Sequence, residues 1–284
     1  RMSTGSTTVT LGNIVFKDTG TTAPSINAII SDGASGYYVG GHFTHANASA
    51  RTSLIHVLAD GSLDTLWTSA NGGLDAAGTV HALALVGNYL VVGGDFATLG
   101  GLARVNLGSI YVGTSTPVAD ADWNPDPNGI VYTIAASGTG VYIGGAFTMV
   151  SATARVRLAH LSAVFGNGGA SEFLSTFCDG LAGATGGNVK TIALNSTNLV
   201  VGGLFTTVNG TARNFIAEVS SACALTSWNP SVTGTDVKAM VVSGSSLYVG
   251  GNFTMLSTSA RTDFGALNLN VTANYVGSLN PAPN

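Results

Sequence analysis

Residues Val200–Pro230 read VVGGLFTTVNGTARNFIAEVSSACALTSWNP, and this stretch carries every part of a pattern that the rest of the chain repeats. An apolar pair and two glycines lead to Phe205, and the dipeptide Ala212-Arg213 follows. An apolar segment, Phe215–Val219, comes next, and Trp228-Asn-Pro230 closes the stretch. Short apolar segments separated by polar turns indicate β-strands joined by tight connections rather than helices.

The glycine motif occurs five times along the chain. It reads YVGGHF at Tyr38–Phe43, VVGGDF at Val91–Phe96, YIGGAF at Tyr142–Phe147, VVGGLF at Val200–Phe205 and YVGGNF at Tyr248–Phe253. The first glycines of successive motifs lie 53, 51, 58 and 48 residues apart, at Gly40, Gly93, Gly144, Gly202 and Gly250. A period of about 50 residues is too long for leucine-rich or ankyrin repeats and is typical of a four-stranded propeller blade.

An arginine preceded by alanine stands eight residues after each motif phenylalanine. These are five of the seven arginines in the chain: Arg51, Arg104, Arg155, Arg213 and Arg261. Equivalent positions of successive blades fall on one face of a propeller, so the spacing predicts a ring of arginines. Because no acidic residue repeats in step with them, we expect the guanidinium groups to bond backbone carbonyls of neighbouring loops. A site for anions or acidic glycans is the alternative.

The repeat predicts an all-β chain that folds as a five-bladed β-propeller of four-stranded antiparallel blades. One domain, residues 25–281, would hold five repeats at about 25–76, 77–127, 128–180, 181–231 and 232–281. Residues 1–24 would form an N-terminal arm with one extra strand. A six-bladed ring, in which residues 1–24 contribute part of a blade, is the second choice.

The extra strand lies within Thr8–Lys17, a segment rich in β-branched residues. The fifth repeat already has a candidate fourth strand at Ala273–Leu279, so this segment has no obvious vacancy within the ring. We expect it to pair with the last blade of its own chain and to bury Ile14 and Phe16, because tethering gives a high effective concentration. The alternative is pairing with a neighbouring subunit, which would propagate head to tail.

Composition limits the function classes. The chain has 284 residues, of which 45% are hydrophobic and 8% charged, and its net charge is −4 from 10 basic and 14 acidic residues. Nucleic-acid binding needs a dense basic stripe, so it is not expected. The chain has no apolar run long enough for a membrane span, and we expect no signal peptide within it. The opening Arg1-Met2 suggests cleavage from something longer.

These repeated residues resemble the bacterial delta-60-type β-propeller repeats. Those repeats combine a GGxF strand, an Ala-Arg pair, an apolar strand and Trp-Asn-Pro, and the turn Ala59-Asp-Gly-Ser-Leu-Asp-Thr65 is also similar to theirs. The resemblance extends over all five repeats. It departs in the third repeat, where Phe177-Cys178-Asp179 replaces Trp-Asn-Pro, and in the fifth, where Val276 stands near the tryptophan position. The resemblance implies a secreted or surface-displayed scaffold more than any activity.

Three further features of the sequence are candidate sites. The glycine pairs are not followed by a helix, so close backbone approach explains them better than phosphate binding. The motif phenylalanines, with Trp67, Trp123 and Trp228, are expected to pack between blades, although a sugar-binding platform is the alternative. The acidic cluster Asp120, Asp122 and Asp126 could hold calcium through alternating oxygen ligands, but it lacks a closing glutamate and also fits Asx turns. No other cofactor is expected.

Catalytic patterns are weak in this sequence. The five histidines are scattered, and neither a His-Glu-His helix nor a Gly-x-Ser-x-Gly elbow occurs. Glutamate occurs only at Glu172 and Glu218, so a hydrolase would have to use aspartates. The two cysteines, Cys178 and Cys223, fall at places in the blade too far apart for a disulfide, so we expect two thiols.

The sequence therefore favours a non-enzymatic extracellular or cell-surface scaffold, working as a surface, adhesive or assembly subunit. Its expected partners are other copies of itself or surface proteins and glycans. A lectin-like propeller that binds glycans or proteins through loops on one face is the first alternative. A hydrolase with aspartates in the central cleft is the second.

Overall fold

A computed structural model describes residues 8–68, 78–138, 140–163, 165–166, 184–185, 187–196, 198–220 and 224–270. All regular elements in these ranges are β-strands, and they form small antiparallel sheets. The all-β, propeller-type fold predicted from the repeat is therefore confirmed, whereas the number of blades stays a prediction. None of the described ranges contains a helix that could cross a membrane.

The chain divides into two compact units. Unit 1 comprises Arg1–Val131, Gly138–Gly140 and Ala163–Phe173, and unit 2 comprises Tyr132–Ser137, Val141–Ser162 and Leu174–Asn284. Unit 1 therefore holds the N-terminal arm and the first two repeats. Unit 2 holds most of the last three.

The strands follow the sequence repeat closely. The arm contains β1 (Thr8–Leu11) and β2 (Ile14–Lys17). Repeats 1 and 2 contain β3 (Ser25–Ser31), β4 (Tyr37–His42), β5 (His45–Ala46), β6 (Ser49–Ala50), β7 (Leu54–Val57), β8 (Thr79–Val86), β9 (Tyr89–Asp95), β10 (Thr98–Leu99), β11 (Leu102–Ala103), β12 (Leu107–Tyr111) and β13 (Val118–Ala119). Repeats 3 and 4 contain β14 (Val131–Ser137), β15 (Gly140–Gly145), β16 (Met149–Val150), β17 (Thr153–Ala154), β18 (Leu158–Ser162), β19 (Ala184–Thr185), β20 (Val189–Asn195), β21 (Asn198–Gly203), β22 (Thr207–Val208), β23 (Thr211–Ala212) and β24 (Ile216–Val219). Repeat 5 contains β25 (Val232–Ser243), β26 (Ser246–Leu256), β27 (Ser259–Ala260) and β28 (Phe264–Asn268).

Each repeat has a main sheet in which the glycine-motif strand lies in the middle. The strand orders are β3-β4-β7, β8-β9-β12-β13, β14-β15-β18, β20-β21-β24 and β25-β26-β28. Among the described residues, a fourth strand is assigned in repeat 2, where the two-residue β13 pairs with β12. In repeats 1 and 4 the predicted fourth strand is reduced to the single bridges Val57↔Leu63 and Val219↔Leu225.

The two glycines of the motif have different neighbours. A side chain at Gly202 would lie 2.8 Å from Cγ1 of Val237 in the following repeat, so the first glycine allows close packing between repeats. A side chain at Gly203 would fall on the carbonyl oxygen of Asn188. That oxygen precedes a register shift between Val189 and Thr191, so the second glycine makes room for a bulge in the first strand. Close approach explains both glycines.

A short hairpin, here called the hairpin arm, connects the motif phenylalanine to the arginine in every repeat. It belongs to a small separate sheet in repeats 1 to 4 and continues from β26 in repeat 5. Its turn uses left-handed residues, as at Asn209 with φ 51° and Gly210 with φ 71°. In repeat 4 the arm strand β22 pairs with β19, and in repeat 5 the arm end of β26 pairs with the start of β25. In both cases the chain that precedes the main sheet supplies the partner strand.

The N-terminal arm fills this place in repeat 1. It is a hairpin of two strands turned at Gly12, rather than one strand, and β2 pairs with β5 through Phe16↔Ala46 and Lys17↔His45. The expected pairing with the last blade is not seen among the described residues, where β5 of repeat 1 is the partner of β2 instead. Burial of Ile14 and Phe16 is confirmed, and the Phe16 ring lies 4.8 Å from that of Phe43.

Apolar clusters lie between successive repeats within each unit. One cluster joins repeats 1 and 2, a second joins repeats 3 and 4, and a third joins repeats 4 and 5. The aromatic residues of the repeat belong to the interior, and all eight are at most 6% exposed: Phe43, Phe96, Phe147, Phe205, Phe253, Trp67, Trp123 and Trp228. Their burial agrees with packing in the interior and not with a surface platform.

Candidate functional site

The five repeated arginines hold the hairpin arms in place. In each repeat the arginine backbone N–H donates to the carbonyl seven residues earlier, and Nη1 donates to the carbonyl of the preceding alanine at 2.6–2.9 Å. Arg104 also donates from Nη2 to the carbonyls of Asp120 and Ala121, both at 2.7 Å. Arg213 reaches the carbonyl of Thr226 at 2.9 Å in the same way. These contacts tie the arm to the turn before the tryptophan.

Within the acidic cluster that was suggested as a calcium site, Asp120 forms an Asx turn. Asp120 is buried, and its Oδ1 accepts the N–H groups of Asp122 and Trp123 at 3.0 and 3.3 Å. Asp122 and Asp126 are exposed. Across the described ranges, no three His, Cys, Asp or Glu side chains gather in a group that could hold a metal ion. Asp120 is instead committed to shaping the turn that presents Trp123.

A buried polar position that the sequence reading missed lies on the third strand of each main sheet. It stands five residues after the repeated arginine and is occupied by His56, Ser109, His160, Glu218 and Ala266. Its side chain contacts the residue that begins the tryptophan turn, as in Ser109–Asp120 at 3.3 Å and Glu218–Thr226 at 3.0 Å. A polar residue in four of five copies of an otherwise apolar strand was the signal that could have revealed it.

In repeat 1 the residue at this position is His56, and each of its two ring nitrogens contacts a carboxylate. His56 Nδ1 lies 2.9 Å from Oδ2 of Asp64, and His56 Nε2 lies 3.1 Å from Oδ2 of Asp32. Both ring nitrogens of His56 therefore lie within hydrogen-bonding distance of a carboxylate oxygen. Tyr38 and Trp67 flank the imidazole with ring centroids 4.6 and 5.7 Å away.

The electrostatics of this cluster follow from burial and hydrogen bonding. Burial alone would raise the pKa of Asp32, but the N–H groups of Ala34 and Gly36, together with His56, outweigh it and lower the pKa. Burial, with the nearby carboxylates of Asp32 and Asp64, raises the pKa of Tyr38 to about 12. Tyr38 is therefore a neutral phenol at neutral pH, and Asp32 is an ionised acceptor.

A cavity of about 580 Å³ opens beside this cluster in unit 1. Its wall combines the rings of Tyr38 and Trp67, the His56–Asp64 pair, and a rim that includes Leu66. The opposite wall is formed by Val112, Thr114 and Ser115 of repeat 2. Such a mixture of aromatic, apolar and few polar groups is typical of ligand sites, so this is the principal candidate site of the described residues.

A second cavity of about 400 Å³ lies where the N-terminal arm joins repeat 1. His42 Nε2 is 3.2 Å from Oδ2 of Asp18, and the Thr19 N–H donates to Oγ1 of Thr44 at 3.0 Å. Threonine and serine hydroxyls make up much of the remaining wall: Thr19, Thr21, Thr22, Thr44 and Ser53. Hydroxyl side chains, His42 and Asp18 supply its polar groups, and Phe43 supplies a phenyl ring to its wall.

The other histidines do not line either of the two cavities described above. His45 contacts Thr44 at 3.1 Å, and His160 contacts Ser137 at 3.3 Å, where burial lowers the pKa of His160. His81 lies on the first strand of repeat 2. Cys178 and Cys223, for which two thiols were expected, lie outside the described residues, as does the strand expected at Ala273–Leu279.

Comparison with known proteins found one family model that matches a short part of the chain. A family model described as "Domain of unknown function (DUF5122) beta-propeller" matches residues 37–66, the stretch from β4 to the turn before Trp67. This match supports a β-propeller repeat. Comparison with curated proteins gave no match.

Two solved structures are similar to the chain at low levels. The computationally designed protein Ika8 is 12% identical with a TM-score of 0.45, over 95% of this chain and 85% of that one. A chain described as the extracellular domain of a one component system of B. thetaiotaomicron is 12% identical with a TM-score of 0.48, over 89% of this chain and 30% of that one. At these levels neither supports an argument about function.

Proposed function

We propose that this chain is a non-enzymatic extracellular scaffold that works as a surface, adhesive or assembly subunit of the cell surface. The observation that carries the proposal is how the recurrent polar groups are used. All five repeated arginines donate to backbone carbonyls, and the buried Asp120 accepts backbone N–H groups. Side chains that recur in the repeat therefore stabilise loops, whereas a shared binding or catalytic centre would need them free.

The composition of the surface and one exposed sheet edge favour assembly with other molecules. Charged residues make up 8% of the chain, so Ser, Thr, Asn, Gly and backbone must cover much of the exterior. The sheet of repeat 2 ends at β13, where Val118 is 57% exposed. An edge strand with an exposed valine offers unpaired backbone groups and apolar surface to a neighbouring molecule.

Sedimentation velocity and negative-stain microscopy test this proposal. The parent should form particles larger than its 28.4 kDa monomer as concentration rises. Val118→Lys should shift them towards monomer because a charge on the edge disfavours strand contact, whereas Thr116→Lys, also exposed, should assemble like the parent. A parent that stays monomeric at every concentration would contradict the assembly role.

A glycan-binding scaffold is the second candidate, and the hydroxyl-rich cavity at the arm of repeat 1 favours it. Saccharides are recognised by polar groups that combine donors and acceptors, which the threonines, His42 and Asp18 supply there. A glycan array should then show a hit that weakens with Thr22→Val and persists with Thr10→Val on β1. A hit that both variants retain would assign the binding elsewhere.

A further inference from the structure

We infer that the 580 Å³ cavity of repeat 1 accepts an aromatic side chain of a peptide segment. The residue that follows the aromatic one in the peptide would donate its backbone N–H to the cavity wall. The inference comes from comparing repeat 1 with repeat 2, where the chain itself fills the equivalent place. It does not depend on self-assembly, because the peptide could belong to any protein.

The tryptophan turns of the two repeats are equivalent. The N–H of Asp64 donates to the carbonyl of His56 at 3.0 Å, and the N–H of Asp120 donates to the carbonyl of Ser109 at 2.9 Å. Each carboxylate then accepts the N–H two residues later, at 2.9 and 3.0 Å. Each turn ends in a buried tryptophan three residues after its aspartate, Trp67 or Trp123.

In repeat 2 this turn is covered by Phe165 and Gly166. The Phe165 ring stacks on Tyr89, with centroids 4.5 Å apart and planes at 20°, and meets Trp123 edge-on at 5.2 Å. The N–H of Gly166 donates to Oδ2 of Asp120 at 3.1 Å. An aromatic ring and the next backbone N–H therefore satisfy the apolar wall and the carboxylate together.

Beside the tryptophan turn of repeat 1, the residues that correspond to Phe165 and Gly166 are too small to cover the turn. Phe165 lies ten residues after Arg155, and the residue ten after Arg104 is Thr114, followed by Ser115 in the place of Gly166. Both line the open cavity. Thr114 turns its hydroxyl to the carbonyl of Thr116 in its own loop, at 2.9 Å. The cavity thus lies where repeat 2 has its aromatic plug.

The walls of the cavity offer aromatic and carboxylate groups of the same kind, although Tyr38 stands at the motif position of Val91 and Gly36 at that of Tyr89. Tyr38 and Trp67 provide aromatic surface, with ring centroids 5.1 Å apart. Asp64 provides the carboxylate, and its Oδ2, which contacts His56 at 2.9 Å, can accept a second hydrogen bond just as Oδ2 of Asp120 accepts two. The volume falls within the range of about 300–1,000 Å³ that is usual for ligand pockets.

The test uses the dipeptide acetyl-Phe-Gly-amide as probe and amide NMR of the whole chain as readout. We expect saturable shifts at residues around Trp67, with a dissociation constant on the order of 0.1–1 mM for a probe of this size. Acetyl-Ala-Gly-amide should give no saturable shifts, since it lacks the ring. Asp64→Asn should weaken binding about tenfold, because it removes a charge-assisted acceptor.

Two variants tie binding to this cavity. Thr114→Phe reproduces the plug of repeat 2 and should abolish the shifts, whereas Thr114→Val keeps the size of the side chain and should bind like the parent. Phe165→Thr should open the equivalent site beside Trp123, so the number of bound probes should rise from one to two per chain. This gain of binding does not depend on whether Thr114→Phe folds.

Several outcomes would overturn the inference. One is the absence of saturable shifts with the phenylalanine probe up to about 10 mM, far above the expected constant. Another is equal binding of the probe to Thr114→Val and to a folded Thr114→Phe. Shifts at the same residues with saccharides but not with the dipeptide would make the cavity a sugar site instead.

Discussion

At the scale of single residues, the second glycine of the repeated motif is fixed by backbone contact. Any side chain at Gly203 would meet the carbonyl of Asn188, a backbone atom that cannot turn aside as a flexible side chain could. The same contact occurs at Gly94 with Thr79, and at Gly41 with Ser25. Backbone crowding of this kind explains why the motif needs a pair of glycines and not one.

We therefore expect Gly203→Ala to destabilise the chain by about 3 kcal/mol, at the upper end for overpacking, because the first strand must move. Gly138→Ala is a matched control, since nothing lies within 4 Å of its added side chain, and it should change stability by less than about 0.5 kcal/mol. Urea unfolding monitored by circular dichroism measures both. Equal midpoints for the two variants would disprove this account of the motif.

Asp32 makes stability depend on pH in a definite direction. Its pKa in the folded chain is lowered from an ordinary value of 3.8, so the folded form holds its proton less tightly than the unfolded one. Its stabilising contribution is complete above that ordinary pKa and is lost as pH falls through the lower folded pKa. Acid should therefore weaken the contact of Asp32 with His56.

Replacing Asp32 with Asn should flatten the loss of stability between about pH 6 and about pH 2, since the neutral amide does not titrate. The control is Asp95→Asn, an exposed carboxylate at the end of β9, which should keep the acid dependence of the parent. Urea midpoints across this range provide the measurement. An Asp32→Asn curve parallel to that of the parent would contradict the assignment.

At the scale of elements, the hairpin arms need a partner strand that the main sheet cannot provide. Repeat 4 takes it from β19 and repeat 5 from the start of β25. Repeat 1 has no preceding repeat, and the N-terminal hairpin supplies the strand instead. The N-terminal arm therefore completes the small sheet of the first repeat and shields the edge of that sheet.

Phe16→Ala should lower the stability of unit 1 by about 3–5 kcal/mol, because it removes a fully buried ring that packs on Phe43. Val15→Thr, on the half-buried opposite face of β2, should cost less than about 1 kcal/mol. Hydrogen exchange of the Thr44 and Asn47 amides, which donate to Lys17 and Val15, reports the loss of the arm directly. Unchanged protection of these amides in Phe16→Ala would show that the hairpin is held by other contacts.

At the scale of the whole molecule, five main sheets follow one another along the chain, each built on one glycine motif. We expect five lobes around a central axis in face-on class averages from electron microscopy, since sheets with exposed edges are stabilised by radial packing. Six lobes would support the alternative ring in which the arm contributes part of a blade. Two separate bodies without a common axis would contradict both.

The sequence by itself determined the repeat, the strand order within it and the burial of its aromatic residues, because spacing and alternation are local properties. Only the three-dimensional structure decided the pairing of β2 with β5, the shortened fourth strands, and the contacts of His56 with Asp32 and Asp64. The residue types that make these contacts differ between repeats, and the polar position of His56 on the third strand does not by itself specify its partners. The cavity beside Trp67 is of the same kind, since it depends on a threonine where the neighbouring repeat has a phenylalanine, and its significance appears only when the two turns are superimposed.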